Sequence, residues 1–401
     1  MSTTETSSQE TARASFALIM LLAAVTAIGP FAMHLLAPAL PWIASDFQVP
    51  AALSQLMLSL SLVAMAIFNL IWGPLSDRYG RRPMLLTGLA LGAGGSVLAA
   101  IAPDIWTALA GRLLQAAGAA AGMVLARAVA QDMFGQARAA GVIGQITAVM
   151  VAAPMIAPTV SGLIIEEGGS RSIFWLAAGL CILLLVWSRA SLSETAPKGG
   201  GGSGLRYLLK GFLIVGGRRA FWRYAGFSAF SLAGFYYFVA IAPYVMRDAF
   251  DQGAKAYGLY FMLLSGTYMF TNFIAGRVSA RFGGEQVMIF GAVLALCGPF
   301  IVAGLLLSGV HHPLVLFLPG MIQSFGAGLA TPQSMAGAVG SAPERAGAAS
   351  GLLGFSQFIV ASVTTQIGGF LPHEQALIIP MGMGFCLIIC LLFLFGLRER
   401  S

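Results

Sequence analysis

His34 and Arg112 stand inside long apolar runs, where few polar side chains are tolerated. An imidazole there can take up and release a proton near neutral pH, and a guanidinium can hold an anion through its bidentate fork. Carboxylates are missing from the same regions. The fifteen acids, from Glu5 to Glu399, all fall in tails, loops or helix ends, so none sits at the middle of an apolar run. No run carries an acid–histidine or HExxH arrangement, so an enzyme is not expected. Cys181, Cys297, Cys386 and Cys390 lack histidines at metal-ligand spacing. Cys386 and Cys390 share a helix face as small packing residues, and neither a metal nor a cofactor is expected.

The elements that must position these groups follow from composition. The chain of 401 residues is 58% hydrophobic and only 9% charged, with a mean hydropathy of +0.85. Soluble domains carry roughly 25% charged residues, so lipid must solvate part of this surface. A span needs about 20 mostly apolar residues. Such segments lie near 16–41, 51–72, 84–102, 105–126, 139–165 and 172–192, then near 220–245, 256–276, 286–308, 313–335, 345–370 and 374–396. The run from Phe16 has no small-residue cleavage pattern after it and reads as a retained first helix. The fold class is therefore all-α, with twelve transmembrane helices in two six-helix bundles. The expected domains are 1–192 and 220–401, joined by a linker, 193–219, that contains GGGGSG at 199–204.

A net charge of +7 suggests nucleic acid in a soluble protein, but here its distribution speaks of topology. With the N-terminus inside, eighteen Lys and Arg residues fall on the inner side and only Arg171, Arg247 and Lys255 on the outer side. The positive-inside rule then places both termini in the cytoplasm and leaves the lipid bilayer, not nucleic acid, as the surrounding partner. Gly118 and Gly122 form a GxxxG face for close helix contact, either static or as part of a rocking interface. Two similar bundles joined by a loose loop are the plan of proteins that rock about a central site.

Between the second and third spans lies GPLSDRYGRR, residues 73–82. It resembles the GxLxDRxGRR signature of the major facilitator superfamily, with Gly73, Asp77, Arg78, Gly80, Arg81 and Arg82 all in place. Gly73 allows close helix approach, Asp77 can cap the next helix or pair with an arginine, and Gly80 supplies a turn. The stretch from Gly276 and Arg277 to Arg281, Phe282 and Gly283 is a degenerate copy without the aspartate. Two further stretches resemble drug exporters of the bicyclomycin and chloramphenicol resistance (Bcr/CflA) type. One is the fourth helix, Arg112, Gln115 and Gly118 continuing to Arg127 and Asp132. The other is an antiporter-like stripe on the fifth helix, Pro154, Pro158 and Gly162, whose plainer reading is a kinked packing helix.

The resemblance implies a bacterial inner-membrane transporter, monomeric, that exports small amphiphilic molecules by proton-coupled antiport. One departure complicates this. Such proteins usually carry an aspartate before a stretch like APALP at 37–41, and here that position holds His34. Either His34 replaces the acid as proton carrier, or transport is not proton-coupled and serves an anionic metabolite bound through Arg112. The other histidines, His311, His312 and His373, fall in external loops. Counted from the outer helix ends near Pro41 and Ile105, His34 and Arg112 both lie about 10 Å deep and are expected to be neighbours. Arg112 can instead brace packing, and His34 can be a satisfied polar residue. Pocket candidates in the second bundle are Tyr236, Tyr237, Tyr260, Tyr268, Gln323 and Gln357, suited to a molecule with a flat or apolar portion.

Topology is directly testable. Single cysteines introduced at Ser203 and Ser401 should react with an impermeant thiol reagent only from the cytoplasm, and one at His311 only from outside. Labelling of Ser203 from outside would overturn the span count.

Overall fold

Hydrocarbon cannot hydrogen-bond a peptide group, so a chain this apolar must satisfy its backbone within each segment. The computed structural model, which describes residues 2–196 and 205–397, is accordingly helical. α1 (Ser2–Leu36) passes through a 3-10 turn (Ala37–Ala39) into α2 (Leu40–Asp46). α3 (Ala51–Tyr79), α4 (Arg81–Ala100), α5 (Ile105–Gly168) and α6 (Ser172–Ser191) complete the first bundle. After the short α7 (Leu205–Gly216), α8 (Arg219–Asp248), α9 (Ala254–Phe282) and α10 (Gly284–Leu307) follow. The last three are α11 (Leu314–Gly340), α12 (Ala346–Gly368) and α13 (Ile378–Gly396).

Among the described residues eleven segments are both long and apolar enough to cross a membrane. The twelfth in the series, α9, has 29 residues and sufficient length. Tyr257, Tyr260, Ser265, Thr267, Tyr268, Thr271 and Asn272 make it more polar than its neighbours.

Several boundaries differ from the sequence expectation, always because helix geometry outlasts apolarity. The first span continues past Pro41 to Asp46. The second continues past residue 72 to Tyr79, which puts Asp77 and Arg78 in the last helical turns and not in a loop. The fourth continues to Gly135 and the fifth starts at Gly141. These two meet within α5 at Gly135, whose φ of 66° breaks the helix. The expected linker is partly helical as α7, with Val215 buried and Phe212 against Gly351 of α12. The GGGGSG stretch lies outside the described residues.

The two bundles repeat one construction. Gly80 joins α3 to α4 with φ 100° and ψ 150°, and Gly283 joins α9 to α10 with φ 88° and ψ 139°. A side chain is strained in that region, so both copies of the loop need glycine. Close helix pairs are duplicated as well. A Cβ on Gly118 of α5 would overlap the Gly88 carbonyl and the Gly92 backbone of α4. A Cβ on Gly326 of α11 would overlap the Gly291 carbonyl of α10 in the same way. Gly122 does not share the Gly118 contact: it meets the Val25 carbonyl of α1, so the GxxxG pair serves two neighbours. Packing of this kind holds helices together where lipid removes the hydrophobic driving force.

For orientation, the end where Gly80 turns is called the motif end, and the end where α2 meets α3 the far end. The largest buried cluster draws on both bundles, including Leu36, Leu40 and Met57 from the first and Phe238, Tyr244 and Phe261 from the second. The next, including Leu21, Leu89 and Leu125, belongs to the first bundle alone.

The glycine contacts predict a matched pair of outcomes. Gly118→Ala should lower the thermal midpoint of the purified protein, an overpacking cost of about 1–3 kcal/mol. Gly94→Ala, with nothing within 4 Å of the added methyl, should leave it unchanged or raise it. Equal midpoints for the two variants would contradict the packing described.

Candidate functional site

At the motif end the residues of the GPLSDRYGRR stretch form a closed ionic network. Asp77 Oδ1 lies 2.5 Å from Arg81 Nη1, four residues later across the Gly80 turn. Arg81 Nε lies 3.1 Å from Asp132 Oδ2 at the end of the first arm of α5. Arg81 Nη1 also donates to Ser76 Oγ at 2.6 Å. Asp77 therefore takes the pairing role and not the capping one. The cap comes from Glu194, beyond α6, which accepts from the backbone N–H groups of Arg81 at 2.8 Å and Arg82 at 3.3 Å. It also accepts from Thr195 and Ala196 at 2.9 Å. Partial burial pushes the Glu194 carboxyl up, but the four N–H groups outweigh it and hold the group below the usual carboxylate range. Arg82 Nη2 donates to the Arg189 carbonyl at 2.9 Å, and Arg78 lies over the Tyr79 ring at 5.2 Å. The nearest atom to a Cβ on Gly73 is Val124 Cγ1 at 4.0 Å, so no close helix approach depends on that glycine. Arg127 is exposed, and among the described residues nothing pairs with it.

Mid-span, the expected His34–Arg112 pair does not form. His34 is 2% exposed and Arg112 3% exposed, but Arg112 Nη2 faces Met33 Sδ at 3.7 Å. Adjacent residues on a helix point about 100° apart, so Met33 and His34 serve different, neighbouring flanks of α1. Extension of the first span to Asp46 also sets His34 deeper than a helix ending at Pro41 implied. His34 Nδ1 donates to the Pro30 carbonyl at 2.8 Å, which leaves Nε2 as a bare acceptor without a partner. Arg112 Nη1 donates to Gln115 Oε1, one turn along.

The other flank of α1 meets aromatic rings. The His34 ring lies 5.6 Å from Phe235, 5.9 Å from Tyr236 and 6.2 Å from Phe261, centroid to centroid. Phe238, Tyr257, Tyr260 and Phe317 continue the cluster across α8, α9 and α11. Of the pocket candidates, Tyr236 and Tyr260 belong to it. Gln323 stands beside Phe238 in a small cavity with Gly298 and Gly320. Tyr237 points elsewhere, donating to the Ile378 carbonyl of α13 at 2.8 Å. Tyr268 sits among Thr331 and Asn272, and Gln357 donates to Ser228 Oγ at 2.7 Å, tying α12 to α8. Sequence reasoning missed Met33, Tyr257, Phe261 and Phe317, because an aromatic or methionine in an apolar helix carries no sign of which way it faces.

At the far end, hydrogen bonds cross between the bundles. Arg247 Nη1 donates to the Pro41 carbonyl at 2.9 Å, and Gln55 Nε2 to the Ala240 carbonyl at 3.2 Å. The Ser54 and Tyr244 hydroxyls share a 2.5 Å bond. Gln366 accepts from Ser59 Oγ at 2.7 Å and donates to the Ala52 carbonyl at 2.9 Å, while Ser362 Oγ donates to the Ser59 carbonyl at 2.8 Å. Thr159 Oγ1 donates to the Gly258 carbonyl at 2.9 Å. Pro158 and Gly162 form the floor of that last contact. A Cβ on Gly162 would lie 2.6 Å from the Ala254 carbonyl oxygen, and one on Gly258 2.6 Å from the Pro158 oxygen. Pro154 is half-buried, so the stripe is an inter-bundle surface for two of its three members. His373, in the loop between α12 and α13, is 9% exposed and stacks on Tyr244 at 4.7 Å. Burial there pushes its imidazole below the ordinary value, with Arg247 adding to the effect and Asp248 opposing it.

By contrast, the ion pairs Arg81–Asp77 and Arg81–Asp132 at the motif end stay within the first bundle. Arg218–Glu344 and Arg223–Glu285 stay within the second. Farther along, α3 and α12 still touch through apolar groups, Leu70 beside Gly351.

Known proteins share this architecture. The family model of the Major Facilitator Superfamily matches residues 20–365, and again 228–401. An uncharacterised MFS-type transporter of Bacillus subtilis, YdgK, is 28% identical over 97% of each chain. A bicyclomycin resistance protein homolog of Haemophilus influenzae is 25% identical over 97% of this chain and 98% of its own. Multidrug resistance protein D of Escherichia coli is 25% identical over 93% and 94%. A crystal structure of a D-xylose–proton symporter superposes with a TM-score of 0.78 at 14% identity, over 96% of this chain and 99% of that one. With its duplicated helical bundles, its motif-end network and a family match across most of its length, the chain belongs to the major facilitator superfamily and is a multi-pass membrane transporter, not an enzyme.

Proposed function

We propose that this transporter exports small amphiphilic molecules, drugs or toxic metabolites, across the bacterial inner membrane by alternating access. The observation that carries the reading is the uneven distribution of inter-bundle hydrogen bonds. Those among the described residues gather at the far end, from Pro41 and Ala52 to Ser59 and Thr159. A gate made of individually modest bonds can open as a unit, while the glycine-packed pairs within each bundle move as rigid bodies. The arginine bias puts the motif end in the cytoplasm, so the far end is the outer gate and this conformer has it shut. Export of drugs is supported by the relatives named for bicyclomycin and multidrug resistance.

Disulfide trapping tests the gate. In a background without the native cysteines, Ser59→Cys with Ser362→Cys should form a disulfide on oxidation and slow transport by about tenfold or more. Reduction should restore the rate. Full transport with the disulfide in place would mean that this end need not open.

Coupling is assigned to His34, because among the described residues it is the imidazole buried mid-span and its Nε2 has no hydrogen-bond partner, so the ring has a free site for a proton. In proteoliposomes, an imposed pH gradient should drive accumulation by the wild type. His34→Gln should lose that response yet keep exchange in the absence of a gradient, and His34→Asp should regain coupling with a shifted pH dependence. Gradient-driven accumulation by His34→Gln would move the carrier elsewhere. A wild type indifferent to the gradient would favour the second reading, exchange or facilitated passage of an anion held by Arg112.

A further inference from the structure

Beside α1 two buried donors point at nothing. Arg112 Nε and Gln115 Nε2 have no hydrogen-bond partner. The amide orientation follows from its neighbour: Arg112 Nη1 donates to Gln115 Oε1, so the NH2 group must face the other way. Arg112 Nη2 has only Met33 Sδ, a weak acceptor, at 3.7 Å. Among the described residues no carboxylate touches this guanidinium, although it is 3% exposed. A buried cation without a counter-charge is costly, and an unpartnered pair of donors is uncommon in a buried site. Both are resolved by one group, an anion with two acceptor oxygens.

The adjoining position on α1 has the opposite character. Around His34 stand the faces and edges of Phe235, Tyr236 and Phe261, centroids 5.6–6.2 Å away. They come from the second bundle, with no acid among them. Rings at such spacing bind another ring by offset or edge contact. Met33 and His34 are consecutive, their Cα atoms about 3.8 Å and their side chains about 100° apart around α1, so a single small molecule lying over that part of the helix would meet the donors on one side and the rings on the other. A cationic arene would meet the guanidinium with no carboxylate to offset the repulsion. A cation is the wrong partner.

Resting on the transporter reading above, we propose that this site selects a planar aromatic acid, with its anionic group on Arg112 and Gln115 and its ring among Phe235, Tyr236 and Phe261. The ring contacts come from the second bundle and the anion contacts from the first, so the ligand bridges the parts that must move.

Matched probes separate the two features. Binding of naphthoate, naphthylmethylamine, naphthylmethanol and octanoate would be measured on the full-length protein in nanodiscs, followed by transport of the same probes in proteoliposomes. Naphthoate should bind at least about tenfold more tightly than the amine. Arg112→Gln should lose about tenfold for naphthoate and octanoate while sparing naphthylmethanol, and Arg112→Lys should lose less. Phe261→Leu should weaken naphthoate several-fold and leave octanoate unchanged. If Arg112→Gln fails to fold, the wild-type ranking and Phe261→Leu decide. Equal or tighter binding of the amine, or undiminished naphthoate binding by folded Arg112→Gln, overturns the aromatic-acid assignment. Loss of octanoate along with naphthoate in Phe261→Leu overturns the ring half. Transport of the amine instead would leave the export reading standing without this specificity. Binding of naphthoate without transport of any probe would keep the site and remove the export reading.

Discussion

Inside a bilayer no water is at hand to rescue a polar group left unpaired, and this scarcity organises the molecule from backbone to site. It makes every crossing segment a helix. It pushes the fifteen acids out to tails, loops and helix ends, and it makes each polar side chain that stays inside a commitment to some partner. Most such groups find one locally: Thr26 donates to the Leu22 carbonyl at 2.8 Å and Ser96 to the Gly92 carbonyl at 2.6 Å, each four residues back. Groups that find a partner in the other bundle, such as Gln55, Ser59 and Gln366, tie the two bundles together. Arg112 Nε, Gln115 Nε2 and His34 Nε2 are among the buried polar atoms that find none, and the proposed site is built on them.

The same scarcity explains why side-chain hydrogen bonds weigh more in the cohesion between bundles than in the cohesion within one. Lipid is as apolar as leucine, so helices gain little by hiding apolar faces and much by approaching closely. Glycines at 88, 92, 95, 111 and 118 let α4 and α5 touch backbone to backbone, and Gly291 and Gly326 repeat this between α10 and α11. Such interlocked pairs resist sliding. The bundle interface at the far end adds side-chain hydrogen bonds, each worth about 1 kcal/mol net, to a shared apolar cluster and to the close Gly162–Ala254 and Gly258–Pro158 approaches. Rigid bodies joined by separable contacts are what a rocking mechanism requires. At the motif end, Asp77, Arg81, Asp132 and Glu194 knit the α3–α4 turn to α5 and to the chain after α6.

Composition, the run lengths and the loop arginines were enough to read a twelve-helix membrane protein, because hydrophobic spans and positive loops are local properties written residue by residue. The GPLSDRYGRR stretch was legible too, since a positive-φ turn needs glycine at position 80 whatever surrounds it. Boundaries were less legible: a helix ends where its backbone geometry breaks, as at Gly135, and polar turns can extend it beyond the apolar window. His34, Arg112 and Gln115 were singled out from sequence as candidates, because a polar residue in a span is conspicuous by itself.

Which way those residues face was decided only by the packing of helices far apart in the chain. Equal depth made His34 and Arg112 look like neighbours, yet depth leaves rotation about the helix axis free, and one residue of rotation gave the arginine Met33 and gave the histidine Phe235, Tyr236 and Phe261. The cap of α4 by Glu194 joins positions more than a hundred residues apart, and the Gln366 bonds to Ala52 and Ser59 join positions about three hundred apart. No local propensity encodes such pairings. They follow from how two bundles with their own internal packing fit together, and in this protein the candidate site and the cross-bundle hydrogen bonds both lie on that fit.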